Sequence, residues 1–130
     1  NTREMSDALK RRCLHLHIPF PEAKVERTIL ERRVPGLSQT LNRELVAFVQ
    51  AVRAIDLKKQ PSVSETIDWA KTLLLLNAEH LSLDLVRDTL NVFLKFEQDI
   101  ASATEQLPAL LAQARKDAEL PLSSHHASHA

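Results

Sequence analysis

The sequence predicts an all-α fold: a four-helix bundle that follows a short helix and one β-strand. Apolar residues recur at helical spacing through most of the chain, whereas only one short segment near its start alternates apolar and polar side chains. Serine residues that can cap helices, and breaks that contain proline, separate the helical stretches. Because no second strand is evident, the fold class follows from the helices.

Residues 1–20 are predicted to form a short helix and a single strand. Ser6 is a suitable N-cap and Asp7 complements the dipole of the first turn, so the helix would run to about Arg12. The alternation over residues 13–18 then indicates a strand. A single strand is not stable without a sheet. We therefore expect these residues to be the end of a domain whose upstream part is missing, as the lack of an initiator methionine also indicates.

Residues 21–97 are predicted to form the helical bundle. Pro21 suits the first position of a helix, and Pro35 with the glycine after it ends that helix. The spacing of apolar residues along this first helix places Val25 on the apolar side and Glu26 on the solvent side.

Polar capping residues mark the start of the other three helices of the bundle. Ser38 or Thr40 caps the second helix, which carries the longest apolar stripe of the chain. Ser62 and Glu65 have the spacing of a capping box, in which Ser62 accepts a hydrogen bond from the amide of Glu65, and this box starts the third helix. Ser82 caps the fourth helix.

Residues 98–130 are predicted to form a loosely attached C-terminal helix and a disordered tail. The apolar pattern thins in this part of the chain, and Pro108 interrupts it. The last residues, from Pro121 to Ala130, are polar and are expected to be disordered.

Composition argues against several classes of function. The 17 basic and 17 acidic residues leave no net charge, which opposes a nucleic-acid or anionic-membrane surface. The apolar run Leu73–Leu76 is far too short to span a bilayer. Gly36 is the single glycine, so the chain has no glycine-rich phosphate loop and is not expected to be catalytic by itself. Cys13 is the single cysteine, which fits a reducing, cytoplasmic location.

Lys10, Arg11 and Arg12 form a basic cluster at the predicted end of the first short helix. One interpretation is a solvated cluster that complements the negative end of that helix. The other is an arginine directed at phosphate, because a guanidinium at a subunit edge can stabilise phosphoryl transfer on a neighbouring subunit. The residue pattern alone leaves both interpretations open.

Two segments of the chain resemble parts of the MoxR-type AAA+ ATPases. Asn1–Leu14, which contains Ala-Leu-Lys-Arg-Arg, resembles the stretch after the fourth core strand of that family. Pro61–Ala70 resembles the opening of the lid helix that carries the second sensor. The resemblance implies that residues 1–20 end an α/β ATPase core and that residues 21–97 are the α-helical lid domain of AAA+ type.

The same resemblance assigns roles to individual residues. It makes Asn1 a candidate for the first sensor of the γ-phosphate and makes the two arginines candidates for the finger that reaches a neighbour's ATP. Adjacent helical residues point about 100° apart, so both arginines cannot be directed at the same phosphate while the helix continues through them. We expect Arg12 to be the finger, because it lies where helix gives way to strand, with Arg11 as its supporting contact.

In the predicted lid, some residues match the positions of the family and others do not. Ile29 matches a position that packs near the adenine, although burial preferences alone favour an ordinary core isoleucine. The second sensor is often an arginine, but here Glu65 stands at that position, or Ser64 if the alignment shifts by one. Neither side chain can neutralise phosphate, and the capping box explains Glu65. Trp69 is expected to fill the core.

The resemblance implies a function for a longer parent protein. ATP hydrolysis would drive chaperone-like remodelling of a partner, in a homo-oligomeric ring that is often a hexamer and often works with a von Willebrand factor A-domain protein. ATP and Mg²⁺ would bind mainly to the missing N-terminal AAA+ core, because both Walker motifs are absent from this chain.

A rival hypothesis is a stand-alone helical protein–protein interaction module without a nucleotide role, whose grooves would bind a partner helix. The unpaired strand argues against it, since a stand-alone module should not expose that apolar face. A nucleic-acid-binding domain is a weaker third alternative. His15 and His17 have a spacing that a metal pair can use, but no third ligand is evident nearby, so no metal site is predicted.

Overall fold

The computed structural model describes residues 20–119 of the chain, and these residues form six α-helices and no strand. The helices are α1 (Ala23–Arg33), α2 (Gln39–Arg53), α3 (Val63–Leu75), α4 (Leu83–Phe93), α5 (Glu97–Glu105) and α6 (Leu107–Glu119). The described part of the chain is therefore all-helical, as predicted. The expected short helix, strand and C-terminal tail lie outside the described residues.

Serine side chains start three of the helices, as the sequence predicts. Ser38, rather than Thr40, caps α2 and accepts a hydrogen bond from the amide of Leu41 at 3.1 Å. Ser62 caps α3 through a complete capping box with Glu65. Each hydroxyl accepts from an amide that has no partner within its own helix, which is why a local motif is sufficient to set these boundaries.

α2 is the central helix of the bundle. It packs against α1, α3 and α6, and its most extensive contact is with α6. It is apolar over most of its circumference, which agrees with the prediction from its long stripe. Its fully or nearly fully buried apolar residues are Leu41, Leu45, Val46, Ala47, Phe48, Val49 and Val52.

The C-terminal helix is not loosely attached, contrary to the sequence-based expectation. α6 packs along α2 and buries a stripe of four residues, Leu107, Leu110, Leu111 and Ala114. Pro108 lies in the first turn of α6, where a missing N–H costs no hydrogen bond, so it starts the helix instead of disrupting it. The bundle therefore includes α5 and α6 as well as the four predicted helices.

An aromatic cluster fills the core where α2, α3 and α4 meet. The ring of Trp69 is stacked on Phe93 with centroids 4.8 Å apart, and it lies 5.5 Å from the centroid of Phe48. Its Nε1–H donates to Thr89 Oγ1 at 2.7 Å, so the indole is buried without an unpaired donor. The prediction that Trp69 belongs to the core is confirmed.

None of the helices within residues 20–119 combines the length and the apolar character that crossing a bilayer requires.

Candidate functional site

A groove between α1 and the N-terminal end of α3 has a volume of about 580 Å³. We call it the α1–α3 groove. The lining residues are Pro21, Ile29, Arg32, Arg33, Val63, Ser64 and Ile67.

Helical spacing explains which residues of each helix reach the groove. Ile29, Arg32 and Arg33 are three and four residues apart, so they share one face of α1. Val63 and Ile67 are four apart at the start of α3, so they also share a face. The groove therefore has apolar walls on both sides and guanidinium groups at one end.

The charges around the groove favour an anion. Arg32 and Arg33 are exposed, and neither forms a salt bridge within residues 20–119. The amides of Val63 and Ser64 belong to the first turn of α3, where backbone N–H groups have no acceptor within the helix and carry partial positive charge. Apolar walls beside positive charge suit a ligand that combines an apolar part with an anionic part.

A buried ion pair lies behind the groove and joins α1 to α2. Arg53 donates from Nη1 to Glu26 Oε1 at 2.7 Å and from Nη2 to Glu26 Oε2 at 2.8 Å. The side chain of Arg53 is 6% exposed and that of Glu26 is fully buried. This finding corrects the expectation that Glu26 faces solvent on the first helix, and the residue expected inside, Val25, is 49% exposed.

The remaining donors of Arg53 bind the segment that starts α3. Nε donates to the carbonyl oxygen of Pro61 at 2.9 Å, and Nη2 lies 3.5 Å from Thr66 Oγ1. The guanidinium also lies 4.5 Å from the centroid of the Phe20 ring, an arrangement that stabilises a cation over an aromatic face. Arg53 therefore contacts the residues before α1, α1 itself and the start of α3.

Gln50 extends this network toward the groove. Its Nε2 donates to Glu26 Oε1 at 3.0 Å and to the carbonyl oxygen of Pro21 at 3.3 Å. Pro21 is itself a lining residue of the groove. The backbone at the groove's edge is thus connected to the ion pair through one side chain.

Glu65 is occupied by the capping box and does not line the groove. Burial raises the pKa of its carboxyl, but hydrogen bonds from the Ser62 hydroxyl and amide, together with the Lys59 ammonium, outweigh burial, so the pKa lies below its ordinary value. The amide of Ser62 donates to Glu65 Oε2 at 2.8 Å, and Lys59 Nζ lies 3.4 Å from Oε1. The carboxylate therefore stabilises the first turn of α3 and is turned away from ligand chemistry.

A second, smaller pocket lies at the other end of α3, with a volume of about 310 Å³. It is lined by the turn around Gly36, the start of α2 and residues 78–80. Glu44 anchors this region, since its Oε1 accepts from the amide of Leu81 at 2.9 Å and its Oε2 lies 3.4 Å from His80 Nδ1. These contacts fix the loop between α3 and α4.

The predicted site residues have different outcomes. Asn1, Arg11 and Arg12 lie outside the described residues. Ile29 is only partly buried and lines the α1–α3 groove, and Ser64 lines the same groove across from it.

Sequence reasoning missed the two arginines at the end of α1 and the ion pair behind the groove. A signal for the pair was available: Glu26 lies four residues before Leu30, which is fully buried, and Arg53 lies four residues after the fully buried Val49. Each charge therefore falls on an inward face by helical spacing.

Comparison of the chain with protein-family models, with curated proteins and with solved structures gives no match.

Proposed function

We propose that this chain is the C-terminal portion of a MoxR-like AAA+ ATPase, with residues 21–97 as its helical lid and the α1–α3 groove as the lid surface that faces the nucleotide. One observation supports the proposal most directly. Ile29 and the start of the Pro61–Ala70 segment are far apart in sequence, and the family resemblance assigns both to the nucleotide. In the fold, Ile29, Val63 and Ser64 line one groove.

The chemistry of the groove is compatible with this role. The walls formed by Ile29, Val63 and Ile67 can pack against the flat face of an adenine base. The positive charge at the groove is complementary to the anionic part of a nucleotide. The upstream core would hold the phosphates and Mg²⁺, so the lid would contribute binding energy rather than chemistry.

The reaction that this arrangement serves is ATP hydrolysis in a homo-oligomeric ring, with a hexamer as the expected form. Arg12 would reach the ATP of the neighbouring subunit and stabilise the charge of the transition state, supported by Arg11, while Asn1 would contact the γ-phosphate of its own subunit. The lid would move as a rigid body when the nucleotide changes, and this motion would drive remodelling of a partner such as a von Willebrand factor A-domain protein.

The trans role of the arginines is tested in the full-length parent by the variants Arg12→Ala and Arg11→Ala. We expect Arg12→Ala to bind ATP with wild-type affinity and to lose turnover by about 10³-fold or more, the usual contribution of an arginine finger. Nucleotide binding is measured with a fluorescent ATP analogue and turnover by phosphate release. Wild-type hydrolysis in both variants would rule the assignment out.

The groove is tested by placing a carboxylate in its apolar wall. Ile29→Asp should weaken ATP binding to the full-length parent by at least about tenfold, because a charge there is desolvated by the base and repels the phosphates. Val25→Asp is the matched control, since it lies on the same helix, is 49% exposed and does not line the groove. Equal affinities in the two variants would contradict the assignment.

A stand-alone interaction module remains the second candidate, and exposed leucines at the end of α3 favour it. Leu75 is 83% exposed and Leu76 is 55% exposed, an adjacent apolar pair that a partner could cover. The two candidates make opposite predictions for the parent protein. An interaction module should bind no ATP, and its partner binding should be lost in Leu75→Asp and unaffected by Ile29→Asp.

A further inference from the structure

We propose that the buried Glu26–Arg53 pair is a positioning element that sets the spacing between the two walls of the α1–α3 groove. This inference concerns the geometry of the groove, and it holds whatever ligand the groove binds.

The strongest support is the identity of the segments that the pair joins. Every lining residue of the groove belongs to α1, to the start of α3 or to the entry segment Phe20–Pro21. Arg53 contacts all three: the ring of Phe20, the carboxylate of Glu26 on α1, and the carbonyl of Pro61 just before the N-cap of α3.

Direct packing does not explain the spacing of the walls as well. α1 packs more extensively on α2 than on α3, and α3 packs more extensively on α4 than on α1. The direct packing between α1 and α3 is therefore small, and the hydrogen bonds of Arg53 add a second link between them through α2. Arg53, near the C-terminal end of α2, is placed to provide that connection.

The geometry of the guanidinium suits it to this task. Its plane is rigid, and its donors leave in fixed directions toward Glu26 on one side and toward Pro61 on the other. A lysine at the same position would retain the charge but could not hold both directions at once. The geometry of the Arg53 side chain therefore helps to set the orientation of α1 relative to the segment that starts α3.

Stability alone does not account for the pair. Taking two charges out of water is costly, and replacing a buried ion pair by apolar residues is often neutral for stability. What apolar side chains cannot reproduce is the directional link from α1 to the Pro61 carbonyl. A positioning role thus predicts that geometry and stability respond differently to the same replacement.

The groove width is measured by pulsed electron paramagnetic resonance on the full chain. Spin labels are attached at Glu31→Cys on α1 and Lys71→Cys on α3, two exposed positions outside the groove lining, with Cys13 replaced by serine. A reference pair, Asp88→Cys on α4 and Lys116→Cys on α6, reports on the rest of the bundle.

The variants to compare are Glu26→Leu/Arg53→Met, Arg53→Lys and the matched control Thr89→Val. The control removes another buried hydrogen bond, the one from Trp69 Nε1, on the α4 side of the bundle. We expect both Arg53 variants to broaden the α1–α3 distance distribution or to shift its mean by about 1 Å or more, a displacement large enough to matter at a binding or catalytic site. The reference pair should not change, and Thr89→Val should leave both distances at their wild-type values.

Two results would overturn the proposal. The first is a wild-type α1–α3 distance in Arg53→Lys and in the double variant. The second is an equal change in the reference pair, which would make the ion pair a general stabiliser. The arm with the apolar double variant also separates this proposal from the proposed function: in the full-length parent, ATP affinity should fall by about tenfold or more when the spacing of the groove walls changes. If the wild-type parent binds no ATP, the proposed function fails, while the distances still decide the positioning role.

Discussion

Removing the carboxylate of Glu26 alone should destabilise the bundle far more than removing the whole ion pair. In Glu26→Leu the Arg53 guanidinium stays in a site where its side chain is 6% exposed, without the two oxygens that accept from Nη1 and Nη2. Breaking a buried pair by deleting one partner typically costs about 3–5 kcal/mol, because an unpaired charge stays buried.

The surroundings of Glu26 favour the upper part of that range. Its side chain is fully buried, and its Oε1 also accepts from Gln50 Nε2, so leucine removes a buried acceptor from two donor side chains at once. Domains of this size are stabilised by about 5–15 kcal/mol in total. Since 1 kcal/mol shifts Tm by about 4–8 °C in a domain of up to 100 residues, a loss of about 4–5 kcal/mol should lower Tm by roughly 16–40 °C.

The double variant Glu26→Leu/Arg53→Met should recover most of this loss. Both replacements are apolar and of similar length, so no charge is left buried, and we expect unfolding free energy within about 2 kcal/mol of the wild type. The residual cost arises at the Pro61 carbonyl, which loses the donor Nε of Arg53, and at Gln50 Nε2, which loses the acceptor Glu26 Oε1.

A double-mutant cycle measures the coupling between the two residues. Urea unfolding followed by far-UV circular dichroism gives the free energies of the wild type, Glu26→Leu, Arg53→Met and the double variant. We expect a coupling of about 3 kcal/mol. A value below about 0.5 kcal/mol, which is typical of exposed ion pairs, would refute the reasoning.

Three further predictions concern the rest of the bundle. Phe48→Ala should lower the free energy of unfolding by about 3–5 kcal/mol, because its side chain is fully buried against Trp69, and urea unfolding measures the loss. The pKa of Glu65 is depressed in the folded state, so its stabilising contribution is complete above its ordinary value of 4.5 and is lost as pH falls through the lower folded-state pKa. The difference in unfolding free energy between the wild type and Glu65→Gln should therefore narrow as pH falls below about 4.5, which urea unfolding at a series of pH values measures. Pro108→Ala should change stability by no more than about 0.5 kcal/mol in the same assay if the proline starts α6, and a gain above about 2 kcal/mol would show that it strains the helix.

The parts of the fold that depend on neighbours in sequence were predictable. The sequence identifies the capping residues Ser38, Ser62 and Ser82, because a cap needs only the amides of the next few residues. The all-helical class follows from the spacing of apolar residues, which also depends only on residues that are close in sequence. The sequence leaves Thr40 as an alternative to Ser38 for the N-cap of α2, because both side chains can accept a hydrogen bond from a backbone amide.

The errors arose where a partner far along the chain decides the outcome. Hydrophobicity patterns assign a glutamate on α1 to the solvent side because its side chain is charged. Glu26 is buried because it pairs with Arg53, which lies 27 residues later in the chain. Val25, which the apolar pattern assigns to the buried side of the same helix, is exposed instead. The firm packing of α6 was also missed, since its stripe is short and needs α2 as its partner.

The groove could be predicted only in part. The family resemblance assigns Ile29 to the nucleotide, whereas burial preferences alone favour a core position. The pattern gives the face of a helix but not whether another element covers that face. Arg32 and Arg33 look like ordinary cations at a helix C-terminus, which complement the dipole of α1, until the start of α3 is seen beside them.

If the chain is the lid of an AAA+ ATPase as proposed, the position that resembles the second sensor carries no arginine, and this would affect how the lid and the neighbouring subunit share the work. Glu65 is held by Ser62, so the positive charge that the start of α3 offers the nucleotide comes from its N-terminal amides alone and is equivalent to roughly half a unit charge. The lid would then bind substrate and transition state about equally, through apolar walls such as that of Ile29, whereas Arg12 of the neighbouring subunit would act on the transition state.

Loss of uniform binding raises KM and leaves kcat unchanged, while loss of a transition-state contact lowers kcat. Steady-state kinetics of Ile29→Asp and Arg12→Ala in the full-length parent should therefore separate, with the first variant altered in KM and the second in kcat. A fall in kcat for Ile29→Asp as large as that for Arg12→Ala would mean that the lid itself contributes to the chemical step.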